Sequence, residues 1–390
     1  MTTFIHTADW QLGKPFARVE DVSKRARLQQ ERIFVLQRIA DAVNEHQAEF
    51  VLVAGDLFDS STPKKNTVAA ACSAIGSMKV PVYVIPGNHD HGGPGCIWEQ
   101  SFFLRESQAL APNLVVLTAS DPFETDQTVL FPCPLLRRHE SADPTVWLRL
   151  MRHDELSRFG SKPRVVLAHG SVQGFGNQGD DDESFEGGTN QIDLSRLPHG
   201  TFDYIALGDW HGTKQITDNA WYSGTPERDR FPKGDSNEPG HILIVRAERG
   251  LPVDVERVKT ARLNWHELAF RFAEDRAVED LQQRLQEMLG LRTDEDLLRL
   301  DVSGSLGLIA RARFEELLES VDARLLRVKY SGEITVAPTS DEIESLTMRT
   351  ADPVTSRVAR ALLVLASGTG EEAEVAGIAL RELYAACYST

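Results

Sequence analysis

The stretch Phe50-Val-Leu-Val-Ala-Gly55-Asp56-Leu-Phe-Asp59 runs from apolar, strand-forming residues straight into a glycine and a carboxylate. A short continuous apolar run of this kind suits a strand buried on both faces, although periodicity alone leaves a buried helix open. Gly55 lets the backbone turn sharply as the strand ends. Asp56 is then held at the strand's carboxyl end, where open α/β sheets collect their chemistry. Taken alone, Gly-Asp-x-x-Asp is an ordinary turn. The same grammar recurs four more times along the chain, and the recurrence decides the reading.

Upstream, the residues from Phe4 read as a short strand ending on Asp9-Trp-Gln11. Downstream, residues 80–85 lead into Pro86-Gly-Asn88-His89-Asp90, residues 164–168 end on His169, and residues 202–207 end on Gly208-Asp209-Trp-His211. Between them lies helical spacing: Ile33, Leu36, Ile39, Ala40 and Val43 within 21–47, then Val68, Ala71, Cys72 and Ile75 after Pro63. Alternation of this sort predicts a sheet covered by helices. Further strands are expected at 113–117, 129–131, 221–223 and 241–245. A helix capped by Asp143 should run to about residue 159, and the Gly-rich, acidic 174–188 should be an exposed loop.

After about residue 262 the texture changes. Strands at 265–272, 297–302 and 325–336 alternate with helices at 275–289 and 308–323, a small α+β unit. Residues 337–352 read as a polar linker, followed by amphipathic helices at 353–366 and 371–387. The expected domains are therefore 1–262, 263–337 and 338–390.

Composition bounds the function. The 390 residues are 41% hydrophobic and 26% charged, as in an ordinary globular protein. A net charge of −16 argues against a general polyanion-binding surface, so contacts to nucleic acid must be local. Candidates are Lys14 with Arg18, Lys24 with Arg25 and Arg27, Lys64-Lys65, Arg137-Arg138, and Arg228 with Arg230 and Lys233; Lys64, Lys65, Arg137 and Arg138 are taken as the DNA-contacting set. The four cysteines lack paired spacing, which argues against a disulfide framework or a cysteine zinc site. The N-terminus has no signal-like pattern and no apolar run approaches the roughly 18–20 residues that span a bilayer, so the expected location is cytoplasmic, without a membrane partner.

Asp9, Gln11, Asp56, Asp59, Asn88, His89, Asp90, His169, Asp209 and His211 would converge on one sheet edge. Oxygen and imidazole donors on such a frame are what a two-metal site requires. The ordered set resembles the calcineurin-like metallophosphoesterases, whose pattern is Asp-x-His, Gly-Asp-x-x-Asp, Gly-Asn-His-Asp/Glu, a lone His, then Gly-His-x-His. His6-Thr-Ala-Asp-Trp-Gln-Leu-Gly13 and Gly55-Asp-Leu-Phe-Asp59 look more specifically like the SbcD-type nuclease subunits of double-strand-break repair. The resemblance covers about residues 1–245. It implies a four-layer α-β-β-α sandwich with a small cap domain and C-terminal helices. One metal would take Asp9, Gln11, Asp56 and His211, and the other Asp56, Asn88, His169 and Asp209. His89 would contact the scissile phosphate and protonate the leaving oxygen, oriented by Asp90.

Two positions depart from the pattern: Gln11 and Asp209 each stand where the family has a histidine. Both keep an oxygen donor, and the oxygen-rich set favours Mn²⁺, with Mg²⁺ next, over Zn²⁺. The resulting expectation is a DNA exonuclease, with or without endonuclease activity, using two Mn²⁺ at DNA ends in repair or defence. The rivals are a phosphodiesterase or phosphatase for a small (cyclic) nucleotide and a catalytically silent DNA-end-binding scaffold. The resemblance also implies a homodimer and a partner with an SMC-like coiled-coil ATPase. The chain has neither a Gly-x-x-x-x-Gly-Lys-Ser/Thr loop nor a long heptad run, so that ATPase would be a separate polypeptide.

Overall fold

In a computed structural model, residues 1–173, 189–231, 238–290 and 292–388 are described. The loop expected at 174–188 and Lys233 lie outside them. The chain forms two compact units, Met1–Leu263 and Asn264–Thr390.

The strands of the first unit are β1 (Thr2–Thr7), β2 (Phe50–Val53), β3 (Val82–Val84), β4 (Leu114–Val116), β5 (Phe123–Glu124), β6 (Val129–Cys133), β7 (Arg164–His169), β8 (Ser171–Val172), β9 (Gln191–Ile192), β10 (Tyr204–Gly208), β11 (Lys214–Thr217), β12 (Ala220–Tyr222), β13 (His241–Ala247) and β14 (Asp254–Lys259). One sheet has the order β14-β13-β1-β2-β3-β4 and the other β11-β12-β10-β7-β6-β5. Strands β1 to β4 pair parallel, as do β6, β7, β10 and β12. Parallel pairing sends their carboxyl ends to a common edge, which is why the polar turns can meet.

Alternation within the continuous apolar runs sorts the core. Phe4, Phe50, Leu52, Tyr83 and Ile85 face Leu130, Val165, Leu167 and Tyr204 across the two sheets. Ile5, Val51, Val53, Val82 and Val84 point the other way, onto helices α1 (Val22–Glu45), α2 (Lys65–Ser77) and α3 (Ser101–Leu110). On the second sheet Val166, Ala168, Ile205 and Leu207 pack beneath Leu148 and Leu156 of the short helices α4 (Val146–Arg149) and α5 (His153–Ser157). The result is the expected helix–sheet–sheet–helix sandwich.

Several expectations are corrected. The helix read from Asp143 to about residue 159 is two short ones. Asp143 accepts hydrogen bonds from Thr145 and pairs with Arg149, closing the first turn on itself, and the Arg152 N–H to Glu155 carboxylate bond (2.8 Å) starts a second helix. Strands β11 and β14 escape the sequence pattern because they are half-exposed and polar.

In the second unit β15 (Asn264–Phe272), β16 (Asp296–Leu306) and β17 (Arg327–Gly332) pair parallel, with α6 (Ala277–Leu289) and α7 (Leu308–Arg324) as crossovers. The strand expected over 325–336 is divided. Gly332 adopts φ +101 and approaches the Val302 carbonyl so closely that a Cβ has no room, so the chain breaks before β18 (Thr335–Val336). The supposed linker contains α8 (Ser340–Thr347), announced by a capping box in which Thr339 and Glu342 bond each other's backbone. Helices α9 (Pro353–Ala366) and α10 (Glu371–Tyr388) follow. Among the described residues, no helix is long and apolar enough to cross a membrane.

Candidate metal centre

The turns after β1, β2 and β10 hold three aspartates and a glutamine in left-handed backbone: Asp9 (φ 52), Gln11 (φ 42), Asp56 (φ 54) and Asp209 (φ 100). Aspartate tolerates this region better than most residues, but four such positions at one edge store strain where the side chains must converge. Close backbone approach is also built in. A Cβ at Gly55 would land on the His169 ring, and one at Gly87 on the Asp56 carboxylate.

Ligand atoms of Asp9, Asp56 and His169 all lie within 4.8 Å of one another, and all three residues are buried. His169 Nε2 is 3.6 Å from Asp56 Oδ1, 3.8 Å from Asp209 Oδ1 and 3.0 Å from Asn88 Oδ1. Its Nδ1 lies 2.8 Å from the Ala54 carbonyl, which takes the Nδ1 proton and leaves Nε2 facing the carboxylates. Asp9 receives the Asp209 N–H at 3.2 Å on both oxygens, and the Ser171 hydroxyl donates to Asp209 Oδ2 at 2.9 Å.

The centre as built of side chains is short of positive charge. Burial, with the neighbouring Asp56 and Asp209, pushes Asp9 up to about 6 against the pull of His211 and His169. Burial alone would depress His169, but Asp56, Asp9 and Asp209 outweigh it and bring the ring to about 9. Buried carboxylates that repel one another and draw a proton onto the adjacent imidazole fit a divalent cation in that space. The donor set of Asp9, Asp56, Asn88, His169 and Asp209, four oxygens and one nitrogen, suits one chemically.

Gln11 and His211 stand beside this cluster. Gln11 Oε1 accepts from Lys14 Nζ at 2.7 Å, while its Nε2 is 3.1 Å from His211 Nε2. His211 Nδ1 is 3.1 Å from Asp229 Oδ2. His89 is part-exposed, with Nδ1 2.8 Å from the Asp59 carbonyl and Nε2 3.9 Å from Asp56 Oδ2. The carboxylate of Asp90 accepts the backbone N–H groups of Phe58 (3.0 Å) and Gly87 (2.8 Å), so it staples the two turns that flank His89. Burial and Asp56 raise Asp90 to about 7.

Of the expected DNA-contacting residues, Arg138 lines a cavity of about 250 Å³ together with Asp59, Ser60, Ser61, Asn88, His89 and His91. Arg137 is exposed next to it in sequence; Lys64 is the residue before α2, and Lys65 sits 5.3 Å from the Phe102 ring centre. Three supporting residues carry no signal in the sequence motifs. Asp229 and Glu227 sit buried after β12, in a charged run following Gly224. Arg32, also buried, donates to the carbonyls of Trp10 (2.8 Å), Asp9 (3.0 Å) and Glu227 (3.1 Å) and to Thr225 Oγ1 (2.9 Å).

The sequence matches the family described as Calcineurin-like phosphoesterase over residues 2–213, more than half of the chain. Among solved structures, TT1561 of Thermus thermophilus is similar at 12% identity, covering 66% of this chain and 99% of its own, with a TM-score of 0.40.

Proposed function

The chain belongs to the calcineurin-like phosphoesterase family, and we propose that within it the protein is a Mn²⁺-dependent DNA phosphodiesterase, an exonuclease acting at DNA ends. Metal-dependent phosphoester hydrolysis is the activity of the family. The observation that carries the finer reading is the cavity in which Asn88, His89 and Arg138 stand together beside the acidic cluster. It offers a phosphate, in one place, an imidazole and a guanidinium, beside the Asn88 oxygen that faces the ligand cluster. The strand-end phrases from His6 and from Gly55 support the nuclease branch.

Asp9, Asp56, Asn88, His169 and Asp209 would hold a divalent ion, which would supply Lewis-acid stabilisation of phosphoryl charge and a water of lowered pKa. The chain's own residues do the rest. Asp59's carbonyl fixes Nδ1–H of His89, so that Nε2 is the atom able to give a proton to a leaving oxygen, a contribution on the order of 10²–10⁴-fold. Arg138 offers a planar fork to a flanking phosphate. Exposed Val358, Leu365 and Val375 on α9 and α10 support docking of an SMC-like ATPase coiled coil within the same reading.

The test is cleavage of end-labelled duplex and single-stranded DNA with Mn²⁺, Mg²⁺ or Zn²⁺. Metal-dependent cutting that weakens steeply as salt rises, and that Asp56→Ala abolishes, upholds the reading. The charge of −16 favours a second reading, a small-nucleotide phosphodiesterase. Hydrolysis of a cyclic nucleotide without DNA cleavage would replace the first reading with it.

A further inference from the structure

We propose that the ammonium of Lys14 occupies the cation position beside Gln11 and His211, so that the centre takes one divalent ion and Lys14 supplies the second positive charge. The inference rests on the metal-dependent reading of the site and is independent of the substrate being DNA.

Lys14 Nζ lies against three polar atoms: Gln11 Oε1 at 2.7 Å, Asp229 Oδ2 at 3.1 Å and Asp59 Oδ1 at 3.6 Å. Its side chain is about a quarter exposed, whereas that of Asp229 is buried to 1%. The ammonium is thus set against two carboxylates and an amide oxygen, the oxygen-rich surroundings that a metal ion would otherwise require.

Its presence decides the rest of the arrangement. An ammonium is all donor, so it must face the oxygen of Gln11 and not the amide nitrogen. The nitrogen of Gln11 is thereby turned to His211 Nε2, 3.1 Å away, where it donates to the ring's single lone pair. The other ring nitrogen faces the Asp229 carboxylate at 3.1 Å, an ion-pair contact. Nε2, the ring nitrogen on the side of Gln11, is thereby covered by a protein group and is not left to ligate. In the cluster of Asp9, Asp56, Asn88, His169 and Asp209, by contrast, His169 Nε2 is turned towards the carboxylates of Asp56 and Asp209, at 3.6 and 3.8 Å, where it can ligate.

Glutamine at position 11 belongs to the same logic. A histidine there would offer the ammonium a nitrogen lone pair or an N–H, but not the second acceptor lone pair of a carbonyl oxygen. Gln11 bridges Lys14 to His211 with one acceptor and one donor, so Lys14, Gln11, His211 and Asp229 form a single closed chain of contacts. With its donors directed at protein oxygens, Lys14 acts by charge and by holding Gln11. It is a positioning residue.

The test counts ions without any substrate. Metal-stripped protein is loaded with Mn²⁺, freed of excess by gel filtration and analysed for Mn per chain, with the EPR spectrum read for coupling between ions. One ion per chain and an uncoupled spectrum are expected for the wild type and for Lys14→Arg. Lys14→Ala frees Gln11, Asp59 and Asp229 and should take up a second, weaker ion. Two coupled ions in the wild type would overturn the proposal, and so would a Lys14→Ala protein that folds normally by circular dichroism yet still holds one. A wild type that binds no Mn²⁺ would instead remove the metal reading beneath it, an outcome distinct from either.

Discussion

Replacing Arg32 with Met should loosen the metal centre from behind. The guanidinium is 1% exposed and makes four hydrogen bonds, to the carbonyls of Asp9, Trp10 and Glu227 and to Thr225 Oγ1, at 2.8–3.1 Å. Burial lowers its pKa, while Asp229, Glu227, Asp59 and Asp9 hold the charge in place. Methionine fills similar volume but strands the buried carbonyls of Asp9 and Trp10, while that of Glu227 keeps the Thr225 hydroxyl, and it uncovers four carboxylates. A charged hydrogen bond contributes about 1.5–3 kcal/mol, and such bonds at one group are not additive. Removing one partner from a buried ionic network costs about 3–5 kcal/mol, which we take as the expected loss. With a urea m-value near 3 kcal/mol/M this lowers the midpoint by about 1–2 M. Five of the six tryptophans, at 10, 98, 147, 210 and 221, lie in the first unit, so fluorescence reports on the part that matters. Because Arg32 holds the Asp9 and Trp10 carbonyls in their left-handed turn, Mn²⁺ affinity should fall at least tenfold in parallel. Arg32→Lys keeps the charge but reaches fewer acceptors, and should fall between. A midpoint shift under about 0.3 M with unchanged Mn²⁺ affinity would refute the reasoning.

Gly87→Ala places a Cβ on the Asp56 carboxylate and 2.6 Å from its backbone nitrogen, both inside the centre. A destabilisation of about 1–3 kcal/mol and a large loss of Mn²⁺ affinity by calorimetry are expected. His89→Ala should lower kcat about 10²–10⁴-fold while leaving Mn²⁺ affinity within about twofold, because the ring gives a proton and does not ligate. His6 tests the packing between the sheets: burial lowers it to about 3, against the Leu207 carbonyl, which raises it. The unfolded chain therefore binds more protons than the folded one between about pH 6.5 and 3. Stability present above 6.5 is lost as pH falls through that window, at about 1.4 kcal/mol per pH unit. His6→Gln, which keeps a donor and an acceptor near Tyr204 but does not titrate, should lose about 2–3 kcal/mol less than the wild type between pH 6.5 and 4.5 in urea melts.

The alternation of strand and helix and the converging strand ends were legible because each apolar run stops on a residue type that a turn alone does not need, whereas the two-sheet sandwich followed from the family resemblance. Continuous apolar strands also encode two faces at once, which is why Val51 and Leu52 go to different layers of the core. What stayed hidden is non-local. Lys14 meets Asp229, and Arg32 meets Glu227, across nearly two hundred residues or more, and no spacing rule links them. One signal was available: Arg32 interrupts the apolar stripe of α1, between Leu28 and Leu36, where a charge has no reason to be unless it is bonded. Asp209 and Gln11 were visible as departures from a pattern. The physical sense of Gln11 needed Lys14, which the sequence offered only as a candidate nucleic-acid contact beside Arg18.

The central claim is that Asp9, Asp56 and His169 hold a divalent ion that hydrolyses phosphoesters. The most direct measurement is hydrolysis of bis(p-nitrophenyl) phosphate by chelator-stripped protein, titrated with Mn²⁺, beside Asp56→Asn, which keeps the shape of the side chain and removes its charge. The stripped protein should be inactive and recover with added Mn²⁺, while Asp56→Asn should stay inactive at the same ion concentration despite a folded spectrum. Activity that survives chelation, or an Asp56→Asn protein that turns over like the wild type, would contradict it.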